Sequence, residues 1–223
     1  MPRLSLAAAV EDVRKRDPIL NRLVALAGPL TYRPRSSTGH FGALARAIVF
    51  QQLSGKVARV ILERVVAAAG GELSAEALAR VPDEKLRAAG LSANKLASLR
   101  DLSSKTSDGS VDLHATSKRS DDEIVESLVT IRGIGRWTAE MYLMFELRRL
   151  DVWPVDDLGV RQGYGLAWGI APPPLPKELA PLGDRFRPYR SIVARYCWEA
   201  VAISRDDPDG LRKLAGLRSK KRG

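Results

Sequence analysis

Residues 128–139 have the sequence LVTIRGIGRWTA, which carries the strongest structural signal in the chain. The pattern predicts a helix, a tight turn at Gly133 and Gly135, and a second helix from Arg136 to about Leu147. Two glycines two positions apart let the backbone turn sharply and approach another surface without an intervening side chain. The main-chain amides of the turn and of the second helix's first residues are expected to face outward, where the helix dipole favours an anion. We therefore expect phosphate to bind here.

The first helix of this segment has a recognisable start. Residues 120–123 read SDDE, which is typical of a capping box. In this motif the Ser120 hydroxyl and the Glu123 carboxylate satisfy main-chain N–H groups at the beginning of a helix. A helix is therefore predicted to begin near Asp121 and to end around Val129.

The rest of the chain also has a helical pattern. Apolar residues recur at helical spacing, as at Leu44, Ile48, Val57 and Ile61, and strand signals are scarce. These features predict an all-α protein. Its 223 residues suffice for one large domain or two small ones.

The composition narrows the functional class. Lysine and arginine total 36 against 26 aspartates and glutamates, giving a formal charge of +10. This charge favours a polyanionic partner, although a basic surface can also serve solubility. The single cysteine, Cys197, excludes an internal disulfide and a four-cysteine iron–sulfur or zinc site. The sequence contains no apolar run of the roughly 20 residues that span a bilayer, so a cytoplasmic protein is expected. The basic end after Asp209 is expected to be a solvated terminus.

The complete string at 128–139 resembles the helix-hairpin-helix of DNA repair proteins. Ile131 and Ile134 match the apolar residues that hold the hairpin together, and Arg132 stands where proline is common. In relatives the hairpin carbonyls also hold a monovalent cation. The resemblance therefore implies a structural Na⁺ or K⁺ on the carbonyls of Val129, Ile131 and Ile134, and no other cofactor.

A second segment extends the resemblance. Residues 151–161 read DVWPVDDLGVR, which predicts a helix start after a proline-containing loop. A hairpin followed at this spacing by an aspartate resembles the helix-hairpin-helix DNA glycosylase superfamily, in its alkylpurine (3-methyladenine) branch. Residues 41–54 and 188–198 match further blocks, so the resemblance spans roughly 39–200. The chain is similar to a short form, with no room for the N-terminal α/β domain of long bacterial relatives.

The resemblance places the catalytic carboxylate on Asp157 and leaves Asp156 as the N-cap of the following helix. Breaking a glycosidic bond builds positive charge on the sugar. A fixed carboxylate in a water-poor cleft stabilises that charge and can orient or deprotonate the attacking water. Both tasks are predicted for Asp157.

Trp137 distinguishes two types of enzyme within this family. Bifunctional relatives carry a lysine at this position, and its amine attacks the sugar to form a Schiff base. An indole cannot do so, which predicts a monofunctional glycosylase. An indole face also attracts a cationic methylated purine, by up to ~2 kcal/mol when desolvated.

The resemblance implies roles for further residues. Trp198, Gln51 and Met141 are expected in the base pocket, although Trp198 could instead be a core tryptophan. Gln52 or Leu53 is expected to fill the gap left by the flipped base, unless the two glutamines lie on an exposed helix face. The predicted phosphate contacts are Gly133, Gly135, Arg136, Thr138 and Lys95. For Lys95 and its neighbour Asn94, at a helix start, a solvated face is an open alternative.

Two helical subdomains are expected. Residues 39–147 form a bundle that ends in the helix-hairpin-helix at 128–142, and residues 1–38 with 148–223 form a second subdomain carrying the catalytic aspartate. The cleft between them is expected to hold three side chains, those of Trp137, Asp157 and Trp198.

These features predict a monomeric enzyme that excises 3-methyladenine-type and 7-methylguanine-type purines from damaged double-stranded DNA, away from membranes and associated with the nucleoid. Two alternatives remain open. A non-catalytic helix-hairpin-helix module could bind DNA in the same way, but it would not need Asp157. The second alternative is a glycosylase for oxidised or mismatched bases. Trp137 and the lone cysteine argue against the iron–sulfur members of that class, whereas its cysteine-free members remain an open alternative.

Overall fold

The computed structural model describes residues 5–32, 34 and 36–207. Helices and no β-strand occur among these residues, which confirms the predicted all-α class. In the same part of the chain, no helix is long and apolar enough to cross a membrane. The basic end after Asp209 lies outside the described residues.

Twelve α-helices occupy the described part of the chain, together with short 3₁₀ turns at Ala115–Lys118 and Asp184–Phe186. In chain order, the α-helices are α1 (Leu6–Arg16), α2 (Pro18–Ala27), α3 (Gly39–Phe50), α4 (Gly55–Ala68), α5 (Ala75–Ala79), α6 (Asp83–Ala88), α7 (Ala93–Ser107), α8 (Asp121–Leu128), α9 (Arg136–Met141), α10 (Leu158–Trp168), α11 (Pro176–Leu182) and α12 (Arg190–Asp206).

The chain divides into two compact units. Residues 33–148 form one of them, which contains α3 to α9 and is called the hairpin unit below. Residues 1–32 and 149–223 form the other, which contains α1, α2 and α10 to α12 and is called the aspartate unit.

The helix boundaries around the hairpin agree with the sequence analysis. Ser120 and Glu123 form the predicted capping box: the Ser120 N–H donates to the glutamate carboxylate at 2.7 Å, and the Glu123 N–H donates to the serine hydroxyl at 3.3 Å. The first helix then runs to Leu128. The second helix continues beyond Met141 as a π-helical turn, Tyr142–Glu146, so the predicted end near Leu147 is also confirmed.

Two isoleucines anchor the hairpin in the core of its unit. The side chains of Ile131 and Ile134 are 1% and 3% exposed, in agreement with their predicted role. Leu44 and Ile48, on α3, are fully buried in the same unit. Burial of each such side chain contributes roughly 1.5–3 kcal/mol, so the turn is fixed by packing on both sides of Gly133.

The core of the aspartate unit is the contact between α10 and α12. Gly163 lies so close to the main-chain carbonyl of Cys197 that no Cβ atom could be accommodated there. The two backbones therefore touch. Cys197 is fully buried, and this burial raises the pKa of its thiol, which stays protonated.

Candidate functional site

The hairpin turn depends on one of its two glycines. Gly133 has φ +78°, in the left-handed region, and a Cβ there would lie 2.5 Å from the Ser98 hydroxyl oxygen. Gly135 has φ −90° and ψ 172°, which any residue adopts, and a Cβ there would meet nothing within 4 Å. The interpretation that both glycines make the turn is therefore wrong for Gly135. Its missing side chain leaves open space at the start of α9.

One face of α7 supports the turn. The Asp101 carboxylate accepts a hydrogen bond from the main-chain N–H of Arg132 at 2.7 Å. Lys105 pairs with the same carboxylate at 3.0 Å and donates to the carbonyl of Thr130. The residues of α7 that lie against the hairpin are spaced four, three and four apart, as expected for one helix face. They are Asn94, Ser98, Asp101 and Lys105.

These four α7 side chains, called the α7 support below, compensate for a departure from the family pattern. Arg132 stands where proline is common in the family that the hairpin resembles, and it keeps the N–H that proline lacks. Asp101 binds this N–H, which is the main reason why the pKa of the Asp101 carboxyl lies below its ordinary value. The turn is thus held by a side chain of α7 instead of by a proline ring.

Two side chains secure the C-terminal end of α3. The Gln51 side-chain amide donates to the carbonyl of Gly133 at 2.8 Å, so this glutamine contacts the hairpin directly. The Lys95 ammonium donates to the carbonyl of Val49 at 2.7 Å, and desolvation lowers its pKa. The base-pocket role of Gln51 and the phosphate role of Lys95 stay predictions.

The two candidate wedge residues lie in the turn between α3 and α4. Gln52 has φ +56°, a left-handed conformation that non-glycine residues rarely adopt, and its side chain is exposed. The neighbouring Leu53 is 37% exposed. The alternative in which Gln51 and Gln52 lie on an exposed helix face is wrong, because α3 ends at Phe50.

The second helix of the hairpin presents an aromatic surface. Trp137 is 48% exposed, which is unusual for a tryptophan with only a packing role, and Met141 is half-buried one turn later. The exposed Arg136 pairs with the buried carboxylate of Glu140 at 3.0 Å. Thr138 is buried, so its predicted phosphate contact is confined to the main-chain N–H.

One polar cluster beside the hairpin was not anticipated from the sequence. The ring of His40 lies 5.9 Å from that of Tyr142, and its Nδ1 atom lies 3.8 Å from the carboxylate of Glu146. Glu146 also accepts the N–H of Ser36 at 3.3 Å. Burial and the Glu146 charge raise the pKa of Tyr142. His40 precedes Tyr142 by 102 residues in the chain, and no local pattern links them.

In the aspartate unit, Asp157 is the N-cap of α10. Its Oδ1 atom accepts the main-chain N–H of Val160 at 2.7 Å and the indole N–H of Trp198 at 2.9 Å. The residue is only 8% exposed. Asp156 is exposed and does not cap the helix, so assigning the cap to Asp156 was wrong. Asp157 is itself the N-cap, and its catalytic role stays a prediction.

This arrangement can supply a fixed negative charge. Two donors on one oxygen restrict rotation of the Asp157 side chain, and low exposure reduces screening by water. A carboxylate in such surroundings can stabilise a developing positive charge and can orient or deprotonate a water molecule. In the hairpin unit, the amides at the start of α9 lie next to the open space at Gly135, where an anion can approach.

Comparison with known proteins gives consistent results. The HhH-GPD superfamily of base excision DNA repair proteins matches residues 45–188, which is more than half of the chain. DNA-3-methyladenine glycosylase 1 from Schizosaccharomyces pombe is 34% identical over 206 residues, covering 90% of each protein.

Two solved structures are similar over nearly the whole chain. DNA-3-methyladenine glycosidase from Bacillus halodurans is 33% identical, with a TM-score of 0.85, and the match covers 93% of this chain and 95% of that one. The S. pombe 3-methyladenine DNA glycosylase in complex with abasic DNA is 34% identical, with a TM-score of 0.73 and coverage of 86% and 95%.

Proposed function

Because the chain belongs to the HhH-GPD superfamily of base excision DNA repair proteins, we propose that it is a monofunctional DNA glycosylase that removes alkylated purines from duplex DNA. Its substrates are bases of the 3-methyladenine and 7-methylguanine type. The relatives of similar length carry the name of this activity. The observation that carries the chemistry is that Asp157 is buried and held at the start of α10.

The reaction requires little acid catalysis. A purine methylated at a ring nitrogen already carries positive charge and leaves with the electrons of the glycosidic bond. Positive charge then develops on the sugar, where the Asp157 carboxylate stabilises it. Water adds to C1′ and gives its proton to the carboxylate, so the products are the free base and an intact abasic site.

The other predicted groups bind and open the duplex. We assign phosphate binding to the main-chain amides at the start of α9, with Arg136 and Lys95 adding positive charge. Gln52 or Leu53, in the exposed turn after α3, fills the gap left by the flipped base. The exposed indole of Trp137 stacks on the cationic base, with Met141 as a further pocket residue.

We also propose a structural Na⁺ or K⁺ at the hairpin. The ligands are the carbonyls of Val129, Ile131 and Ile134, because neutral oxygens suit a hard monovalent cation. The Ile131 carbonyl accepts the Ile134 N–H at 3.0 Å, and a carbonyl oxygen has a second lone pair for an ion. Such an ion would help to neutralise an approaching phosphate. Replacing potassium by choline at equal ionic strength should therefore weaken duplex binding.

We propose that the protein acts as a monomer on chromosomal DNA, in the cytoplasm of a cell with a nucleoid. The formal charge of +10 suits association with DNA.

The decisive experiment is to incubate the purified protein with methylated duplex DNA and to identify released bases by mass spectrometry. We expect 3-methyladenine and 7-methylguanine, with strands that break only after alkali treatment. Asp157→Asn serves as the parallel control for base release. Duplex binding without base release would favour a non-catalytic hairpin module, and release of only oxidised or mismatched bases would favour the other glycosylase class.

A further inference from the structure

The indole of Trp198 is bonded to the proposed catalytic carboxylate. Its Nε1–H donates to Oδ1 of Asp157 at 2.9 Å, and the same oxygen accepts the N–H of Val160. We infer that Trp198 is a positioning residue, which holds the Asp157 carboxylate through its indole N–H. The absence of a side chain at Gly159 leaves the space that the indole occupies. This inference rests on the proposed function, in which Asp157 is catalytic.

Gly159 provides the space for this bond. A Cβ at this position would lie 2.8 Å from Cδ1 and 3.0 Å from Nε1 of Trp198, and 3.1 Å from Oδ1 of Asp157. Gly159 lies within α10, and glycine is a poor helix former, so the helix itself does not favour it. Any larger residue would push the indole away from the carboxylate.

The helix contact fixes the position of the indole. Gly163, one turn after Gly159, lies directly against the carbonyl of Cys197, which immediately precedes Trp198 in α12. Two glycines four residues apart thus bring α12 against α10. The first accommodates the Trp198 ring, and the second accommodates the backbone before it. The close approach of the two helices therefore delivers the indole N–H to Asp157.

This role differs from that of a base-pocket wall. A stacking wall requires the aromatic face, which phenylalanine also provides. A positioning residue requires the indole N–H, which phenylalanine lacks. Trp198→Phe therefore separates the two roles.

We expect Trp198→Phe to lower the single-turnover rate of base release at least about tenfold, equivalent to ~1.4 kcal/mol of transition-state stabilisation. Affinity for undamaged duplex should stay unchanged, because the hairpin is untouched. The chain offers a matched control, since the Nε1–H of Trp168 donates to Oδ2 of Asp17 at 3.1 Å in the same unit. Trp168→Phe removes the same type of bond and should keep the wild-type rate at a temperature where both variants are folded.

Gly159→Ala tests the same geometry without changing either bonded residue. The added methyl group should displace the indole and lower the rate in the same way, with unchanged duplex affinity. Leu166→Ala, at an exposed position of α10, controls for an alanine substitution in this helix. A wild-type rate in Gly159→Ala would contradict the spatial argument.

A spectroscopic measurement does not depend on activity. In proton NMR, the Trp198 indole N–H signal is assigned by its loss in Trp198→Phe. In Asp157→Asn this signal should move upfield, because a neutral amide oxygen accepts a weaker hydrogen bond than a carboxylate. The Trp168 signal should not move, but it should respond to Asp17→Asn.

The outcomes distinguish this inference from the proposed function. An inactive wild type that still shows the NMR response would reject the glycosylase assignment and keep the Trp198–Asp157 bond. An active wild type with full activity in Trp198→Phe would overturn the positioning role and leave Trp198 as a stacking surface. An unresponsive indole signal would show that the bond is not formed in solution.

Discussion

The side-chain amide of Gln51 donates a hydrogen bond to the main-chain carbonyl of Gly133 at 2.8 Å. This bond joins the turn that carries Gln52 and Leu53 to the hairpin, within one compact unit. The residue proposed to fill the gap in the duplex and the turn proposed to grip phosphate are thus held in a fixed relation. A change at either end of this bond should therefore affect both phosphate binding and the filling of the gap in the duplex.

Gln51→Leu removes the donor and keeps the approximate size of the side chain. A neutral hydrogen bond contributes about 1 kcal/mol net, so affinity for undamaged duplex should fall ~fivefold and base release should fall with it. Fluorescence anisotropy and single-turnover assays measure the two quantities. Gln162→Leu, on α10 of the other unit, is the matched control. A loss confined to damaged duplex would instead place Gln51 in the base pocket.

The two hairpin glycines should behave differently. Gly133→Ala places a side chain at φ +78° and against Ser98, so the free energy of unfolding should fall by at least roughly 1–2 kcal/mol in urea titrations. Gly135→Ala meets neither strain nor contact and should leave stability intact. Its duplex affinity should nevertheless fall, because the new methyl group occupies the space that the phosphate needs. Unchanged affinity in Gly135→Ala would remove this position from the interface.

The substitution Asp101→Ala has two effects on duplex binding that act in opposite directions. Removing a negative charge from a DNA-binding protein should, by electrostatics alone, strengthen binding. We expect ~fivefold weaker binding, about 1 kcal/mol, because the Arg132 N–H and Lys105 lose their partner at a site partly exposed to solvent. Glu63→Ala, at an exposed position of α4, shows the effect of charge alone. Tighter binding in both variants would contradict the support role of Asp101.

The pH dependence of this support follows from the lowered pKa of Asp101. A carboxylate with a lowered pKa in the folded protein contributes stability above its unfolded value of about 3.9, and this stability is lost as the pH falls through the lower folded value. The difference in affinity between wild type and Asp101→Ala should therefore be constant across neutral and mildly acidic pH. A difference that disappears near neutrality would require another titrating group.

The sequence predicted the local features of the hairpin because they depend on neighbouring residues. The capping box at Ser120 and Glu123 and the helix limits follow from short-range chemistry, and the packing role of Ile131 and Ile134 followed from the resemblance of the hairpin. The α7 support could not be predicted. Its side chains bind main-chain or side-chain groups 25 to 38 residues away, and polar residues at helical spacing are equally typical of a solvated face.

The paired aspartates show a different limit of sequence analysis. Asp156 and Asp157 are both good N-caps, and a shift of one residue in the helix start exchanges their roles. Only the bonds of Asp157 to Val160 and Trp198 decide between them. The sequence thus located the two aspartates at the helix start, while the tertiary structure was needed to show which of them caps the helix.

Asp157→Asn should abolish base release without unfolding the protein. Asparagine is as good an N-cap as aspartate and can still accept the Val160 N–H, but it lacks the negative charge. We expect a rate loss of at least ~10²-fold, with nearly unchanged duplex affinity. Asp156→Asn, one residue earlier and exposed, is the control and should remain active. The reverse result would shift the catalytic assignment by one residue.

Trp137 supports both the monofunctional assignment and the preference for alkylated bases. Wild-type protein mixed with damaged duplex and borohydride should trap no covalent complex, because an indole has no amine that can form a Schiff base. A strong trapped adduct in the wild type would overturn the monofunctional assignment.

The half-exposed indole of Trp137 should also select cationic bases. Trp137→Ala should lose more activity on 3-methyladenine or 7-methylguanine than on neutral hypoxanthine, because only the charged bases lose a cation–π attraction of up to ~2 kcal/mol. The comparison is made on kcat/KM, which reports differential transition-state binding. Trp137→Phe keeps an aromatic face with weaker cation affinity and should fall between the wild type and Trp137→Ala on the cationic bases. Equal losses on charged and neutral bases would reduce Trp137 to a stacking surface, while the chemistry assigned to Asp157 would stand.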